Sequence, residues 1–203
     1  MSNIYLALGD SLTTGYGVEP SQSFAFLFYR NLAVYDPDLK YVNLGVNGLT
    51  SHELAALVSQ ERTFLLIKQA KIISITIGSN DLLAVGKSLI IGAGANIDLT
   101  LGDLNHNLLV IGSFIRRANP SALVKIATIY NPLPPMNKQS TVLAEGLVKT
   151  SNRSIRKMAR EYRFIVVPVA KAVSGQEQIL LGPDLIHPNY LGHKLIADLL
   201  VKY

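Results

Sequence analysis

Residues 4–12 read IYLALGDSL. Five apolar residues stop at Gly9, and an acid and a hydroxyl follow at once in Asp10 and Ser11. A short apolar run without polar alternation reads as a strand of a parallel sheet covered on both faces. Runs of the same kind recur at Tyr41–Leu44, Ile72–Ile77, Leu123–Ile129 and Phe164–Val167, each bounded by Gly, Asn or Pro. Between them, helical spacing predicts helices over roughly Ser23–Val34, His52–Lys68, Ile97–Arg117, Lys138–Tyr162 and Asn189–Val201. Strand and helix alternate along the whole chain, which predicts an α/β fold with right-handed crossovers.

The residues after each run carry the chemistry. Gly9-Asp10-Ser11-Leu12 follows the first, Gly45-Val46-Asn47-Gly48 the second, Gly78-Ser79-Asn80-Asp81 the third and Asn131-Pro132-Leu133 the fourth. Asp184-Leu185-Ile186-His187-Pro188 comes some way after the fifth. In open α/β sheets the ligand crevice lies at the carboxyl ends of the strands. These polar groups, scattered over nearly the whole sequence, are therefore expected to converge.

The bulk composition sets the limits. The 203 residues suit one domain spanning 1–203, with a single sizeable core. No repeat, low-complexity tract or linker divides them, and the Pro-rich stretch 131–137, NPLPPMN, reads as a rigid connector. Hydrophobic residues make up 49% and charged residues 16%, a globular balance. No apolar run reaches the roughly 18–20 residues that span a bilayer. Asn3-Ile4-Tyr5 leads into the first strand without a basic n-region or cleavage site, which gives a cytoplasmic expectation, with a trimmed secreted form as the alternative. The absence of cysteine removes disulfides, thiolate metal sites and a cysteine nucleophile. Net charge is +5. Lys149, Arg153, Arg156 and Arg160, with Lys157 and Arg163, form a basic stripe on a helix, either a solvated face or a weak contact for an anionic surface. Aromatic residues do not interleave with it in a nucleic-acid-binding pattern.

A serine hydroxyl becomes a nucleophile when a base takes its proton, and a histidine held by a carboxylate is that base. Ser11, His187 and Asp184 supply the three types, and Asp184 and His187 are close enough in sequence for one turn to present both. Pro188 is expected to stop that turn and open the last helix. Acyl transfer also needs donors for an oxyanion, and the candidates are the N–H groups of Ser11 and Gly48 and the amide of Asn80. Asp10 is expected to bond local backbone, and Asp81 to brace the turn that holds Asn80. His52, His106 and His193 fit no motif and make a poor zinc set.

GDSL at 9–12, the glycine of NLGVNG at 43–48, GSND at 78–81 and DLIHP at 184–188 stand in the order of the SGNH, or GDSL-type, hydrolases, which the chain resembles from end to end. The resemblance implies a three-layer α/β/α sandwich around a flavodoxin-like parallel five-stranded sheet. It implies hydrolysis of carboxylic esters, sometimes thioesters, with no metal and no cofactor. By the same resemblance Ser11 is the nucleophile, His187 the general base and Asp184 its orienting partner, with Ser11, Gly48 and Asn80 as the oxyanion hole. Gly48 rather than Gly45 is chosen on the family spacing GVNGLTS.

The substrate rests on less. Leu12, Leu49, Leu82, Leu133, Met136 and Ile186 are expected to form an apolar pocket suited to an acyl chain, with Gly86–Thr100 either a flap over it or a plain connection. The expectation is an esterase, lipase or lysophospholipase-like acylhydrolase acting on a small-molecule or lipid ester, without nucleic acid. The alternatives are a carbohydrate acetyl esterase or a thioesterase on the same residues. A remote alternative is a non-catalytic binding or signalling domain of flavodoxin-like fold. No G-x-S-x-G elbow, dinucleotide loop or Walker A loop is present.

Overall fold

The computed structural model describes residues 3–90, 94, 96–131 and 138–203. Five strands form one parallel sheet: β1 (Ile4–Gly9), β2 (Lys40–Gly45), β3 (Ala70–Thr76), β4 (Leu123–Ala127) and β5 (Ile165–Val167). Their spatial order is β2-β1-β3-β4-β5 and all four pairings are parallel. That order reverses direction between β1 and β3, so the crevice of the fold opens outside their carboxyl ends. Ser11 and Asn80 lie just beyond those two strand ends.

The helices are α1 (Ser11–Thr14), α2 (Phe24–Ala33), α3 (Ser51–Ser59), α4 (Glu61–Gln69), α5 (Ser79–Ile90), α6 (Ile97–Ala118), α7 (Lys138–Glu161), α8 (Val169–Val173), α9 (Glu177–Leu180) and α10 (Tyr190–Lys202), with a 3₁₀ turn at Pro20–Gln22. Alternation along β1 divides the core into two layers. Ile4, Leu6 and Leu8 face Leu54, Ile67, Leu104, Ile111 and Ile155 of α3, α4, α6 and α7. Tyr5 and Ala7 face Phe24, Phe28, Ile196 and Leu200 of α2 and α10. Each such side chain, once buried, contributes about 1.5–3 kcal/mol. The result is the expected α/β/α arrangement around a five-stranded parallel sheet.

Several polar groups in the core are partnered across elements. Tyr5 Oη and Ser74 Oγ lie 2.7 Å apart between β1 and β3. Lys125, buried on β4, donates from Nζ to the Leu200 carbonyl at 2.9 Å, near the C-terminus of α10, where a cation is favoured. Asn152 of α7 grips Ile129 with two bonds of 2.8 Å, one in each direction.

Several boundaries differ from the sequence expectation. β4 ends at Ala127 rather than Ile129, because Asn152 takes both backbone groups of Ile129. The segment His52–Lys68 is two helices, broken where Gln60 turns to φ −68°, ψ 139°. Residues after Gly78 form α5 through Ile90, so the first part of the 86–100 stretch is helical, and 97–100 begin α6. The rest of that stretch lies outside the described residues, apart from positions 94 and 96. No described helix is long and apolar enough to cross a membrane. Lys149, Arg153, Arg156 and Arg160 are exposed along α7, and among the described residues none of them forms a salt bridge.

Candidate active site

β1 runs into the crevice through Gly9, whose φ is +143°. A Cβ there would lie 2.2 Å from the Thr76 carbonyl oxygen, so both backbone shape and space require glycine. Asp10 then caps the single turn of α1. Its Oδ1 accepts from Leu12 N at 3.1 Å and from Thr76 Oγ1 at 2.8 Å. Thr13 Oγ1 joins the same buried set, 2.8 Å from Thr76 Oγ1. Burial pushes the Asp10 carboxyl up, with the bonds from Thr76 and Leu12 partly opposing it. Its Oδ2 is buried without a partner. Asp10 thus bonds local backbone as expected, and also ties β1 to β3.

Ser11 is the first residue of α1, where the helix leaves the main-chain N–H free. Its Oγ lies 2.9 Å from His187 Nε2. His187 Nδ1 lies 2.6 Å from Asp184 Oδ2. Asp184 Oδ1 accepts the main-chain N–H groups of Ile186 at 3.0 Å and His187 at 2.9 Å. Partial burial pushes the Asp184 carboxyl up, but the His187 ring and these two N–H groups outweigh it and hold the carboxyl below the usual range. The structure therefore brings Ser11 across most of the chain to the Asp184–His187 turn, in the order hydroxyl, imidazole, carboxylate.

The turn that presents Asp184 and His187 is closed by Gly182 N–H donating to the His187 carbonyl at 2.7 Å. Leu185 at its apex has φ +57°, a left-handed conformation that costs a leucine about 1–3 kcal/mol. Tyr130, on the loop after β4, donates its hydroxyl to the Ile186 carbonyl. Asn189, not Pro188, caps α10: its Oδ1 accepts from Leu191 N and Gly192 N, and its amide donates to Ile179 and Leu181. Pro188 sits one residue before the cap, because the cap's acceptor must come from a side chain.

The other two loops are tied to each other. Asn80 donates from Nδ2 to the Leu49 carbonyl at 2.9 Å, which leaves the second N–H of its amide. Asp81 does not bond its own turn. Its carboxylate accepts Ser51 N–H at 3.0 Å and Ser51 Oγ–H at 2.6 Å, and Asn107 donates to Ser51 Oγ at 3.0 Å. Asp81 therefore braces Asn80 against the start of α3 rather than from within. Gly48 is exposed at φ +79°, and among the described residues its N–H meets no acceptor. Gly45 pairs with Gly9 in the sheet, and a Cβ there would lie 2.6 Å from Thr14 N. Gly45 serves packing, whereas nothing lies within 4 Å of where a Cβ on Gly48 would sit.

Of the residues expected to form an apolar pocket, Leu12 borders a small cavity with Asp10, Ser79 and Tyr130. Leu12, Leu49 and Leu82 are 7%, 7% and 1% exposed and pack into the core, because α1, the 46–50 turn and α5 turn those side chains inward. Ile186 is half-buried in the Asp184–His187 turn. Leu133 and Met136 lie outside the described residues. Tyr16, Val46 and Leu185 are exposed apolar side chains on the loops that follow β1, β2 and β5. The sequence patterns did not single out Tyr16, whose ring centroid is 4.4 Å from that of His187.

Among the described residues the remaining histidines make no hydrogen bond to Ser11, His187 or Asp184. His193 is buried on α10, stacks on Phe24 and accepts Phe24 N–H at Nδ1, and burial pushes it down to about 4. His52 and His106 border a groove between α3 and α6. Among the described residues no three His, Cys, Asp or Glu side chains are grouped to hold a metal ion.

The arrangement of Ser11, His187 and Asp184 suits acyl transfer, and comparison with known proteins points the same way. The chain matches the GDSL-like lipase/acylhydrolase family over residues 7–195. It is 24% identical to the spore germination lipase LipC of Bacillus licheniformis, covering 96% of this chain and 92% of that one. In structure it is similar to a lipase from a goat rumen metagenome, with a TM-score of 0.84, 24% identity and coverage of 98% and 96%. It is also similar to an acetyl xylan esterase from Geobacillus stearothermophilus, with a TM-score of 0.71, 19% identity and coverage of 98% and 93%.

Proposed function

The chain belongs to the GDSL-like lipase/acylhydrolase family and is a carboxylic ester hydrolase, and from that premise we propose that it works through an acyl-enzyme on Ser11 within one catalytic domain. The observation that carries this reading is the 2.9 Å contact between Ser11 Oγ and His187 Nε2. Ser11 Oγ attacks the ester carbonyl while His187 Nε2 takes its proton. Asp184 holds the imidazole by Nδ1 and stabilises the imidazolium that forms. The oxyanion is met by the N–H groups of Ser11 and Gly48 and by the free N–H of the Asn80 amide. His187 returns its proton to the leaving alcohol. Water, deprotonated by the same nitrogen, then releases the acid.

Substrate class follows from what borders the crevice. Tyr16, Val46 and Leu185 are exposed and apolar, which favours the acyl chain of a small-molecule or lipid ester over a polar sugar surface. The exposed face of Lys149, Arg153, Arg156 and Arg160 adds a weak attraction for anionic surfaces, measurable as salt-sensitive co-sedimentation with anionic vesicles. The direct test is hydrolysis of p-nitrophenyl esters from acetate to palmitate by the wild type and Ser11→Ala. The expected result is activity on the wild type only, with a chain-length optimum that sizes the pocket. Full activity in Ser11→Ala contradicts the acyl-enzyme. Much faster turnover of acetylated sugars than of any acyl ester moves the substrate to carbohydrate esters.

A further inference from the structure

Beyond the hydroxyl, the imidazole and the carboxylate, one more side chain lies against the reacting groups. Tyr16 follows the turn of α1, which Gly15 ends in the left-handed conformation at φ +82°. Tyr16 N–H donates to the carbonyl of Ser11 itself at 3.0 Å, so the tyrosine backbone is fastened to the residue that carries the hydroxyl. Gly17, at φ +87°, turns the chain away again. Between these two glycines the Tyr16 ring crosses to the histidine turn, 4.4 Å from the His187 ring at an interplanar angle of 45°. Tyr16 is 49% exposed, while the His187 side chain is 21% exposed. The tyrosine is therefore the more exposed of the two rings in contact. Its hydroxyl meets no partner among the described residues, so the ring is the part that makes the contact.

We propose that Tyr16 is a positioning residue for the ester hydrolysis, bracing the His187 ring and stabilising its imidazolium through the aromatic ring; this rests on Ser11 and His187 acting as above. The physical basis has two parts. A ring clamped by Asp184 at one nitrogen can still pivot about that bond, and the Tyr16 ring packed against it limits the pivot. An aromatic ring within about 6 Å of a cation also attracts it, and the attraction exists only once the imidazole has taken the serine proton. That makes it an interaction of the transition state rather than of the bound substrate. The other titratable groups near His187 are Asp184 on its own turn, Asp10 at the end of β1 and His193 on α10. Of these only His193 touches Tyr16, and it does so through the Tyr16 main chain, which the substitutions keep, so a shift in pH dependence reports the ring.

The experiment measures kcat and KM on p-nitrophenyl butyrate across pH for the wild type, Tyr16→Phe, Tyr16→Leu and Ser11→Ala. Phenylalanine keeps the ring, so Tyr16→Phe stays within about twofold of the wild type throughout. Leucine keeps apolar bulk without the ring, so Tyr16→Leu loses about three- to thirtyfold in kcat with KM little changed. Its acid limb moves to lower pH, because the imidazolium has lost its stabilising ring. Wild-type kcat and an unmoved acid limb in Tyr16→Leu overturn the proposal. A change in KM alone overturns it in favour of a substrate contact. An equal loss in Tyr16→Phe overturns it in favour of the hydroxyl. Retained activity in Ser11→Ala is a different failure, that of the acyl-enzyme reading on which the proposal stands.

Discussion

Asp184 binds His187 twice, through the ring and through the backbone. Its Oδ2 lies 2.6 Å from Nδ1, and its Oδ1 accepts the His187 main-chain N–H at 2.9 Å. One carboxylate thus fixes both the place of the residue and the tautomer of its ring, leaving Nε2 free of a proton toward Ser11. Asp184→Asn keeps an oxygen for the backbone N–H groups but can put an amide N–H against Nδ1, which selects the wrong tautomer. We expect kcat to fall about 10²–10⁴-fold, with the fold retained by circular dichroism. The pH dependence has a definite sign. The folded carboxyl is held below its usual range, so its contribution to stability is present above about pH 4 and lost as pH falls through the folded value. That component of acid unfolding should be missing in Asp184→Asn, as read by thermal melts between neutral pH and pH 3.

Asn80 serves two partners with one amide. One N–H is committed to the Leu49 carbonyl, and the other is offered to the oxyanion. Asn80→Ala removes both. The expected loss in kcat is about 10²–10³-fold with KM within a few-fold, measured by steady-state kinetics on a p-nitrophenyl ester. A pure KM effect would show that the amide contacts the ground state only.

The brace behind Asn80 can be tested by stability. Asp81 holds Ser51 by two bonds, and Asn107 completes the set from α6. Asp81→Ala leaves buried donors of Ser51 without their acceptor, which costs about 1–3 kcal/mol. The melting temperature should drop by roughly 2–10 °C. Activity should fall as well, because the same bonds set the distance between the 46–50 turn and α5. An unchanged melting temperature would show that water replaces the carboxylate there.

Much of this arrangement is legible in the sequence because buried parallel strands leave a plain trace. Ile4–Leu8 is apolar throughout and Ile72–Ile77 is broken only by the small hydroxyls of Ser74 and Thr76, since both faces of the sheet are covered, and the polar residues that follow these runs mark the strand ends. Ser11 and Asn80 are legible for that reason, while Asp184 and His187 are legible from the DLIHP block and the resemblance it carries. What escaped was what side chains do to one another across space. Gln60 breaks a helix although nothing in Ser59-Gln60-Glu61 forbids continuation. Asp81 bonds a serine thirty residues back in the chain rather than its own turn. Leu82 falls within an apolar window that reads equally as pocket rim or core, and helix α5 decides for the core. Tyr16 has no periodicity to announce it, and only the two glycines beside it hint at a special conformation.

Asp10 carries a cost that a neutral residue would avoid. Burial raises its carboxyl above the usual range, and Oδ2 has no partner. A folded value above the unfolded one means that stability falls as pH rises through that window, starting near pH 4. Asp10→Asn retains an oxygen for Leu12 N–H and Thr76 without the buried charge. It should therefore melt higher than the wild type at neutral pH, with the gap closing as pH drops toward about 4. Asp10→Ala, which removes the cap of α1, should melt lower by the equivalent of about 0.5–2 kcal/mol. Both are read by thermal unfolding at a series of pH values.

The claim on which everything else depends is that Ser11 Oγ is the nucleophile, 2.9 Å from the base. Reaction with a fluorophosphonate followed by peptide mass spectrometry tests it most directly. We predict a single adduct on the peptide containing Gly9-Asp10-Ser11-Leu12, located on Ser11, and its disappearance when His187 is replaced by alanine. An adduct on another residue, or an active enzyme that takes no label at Ser11, would contradict the account.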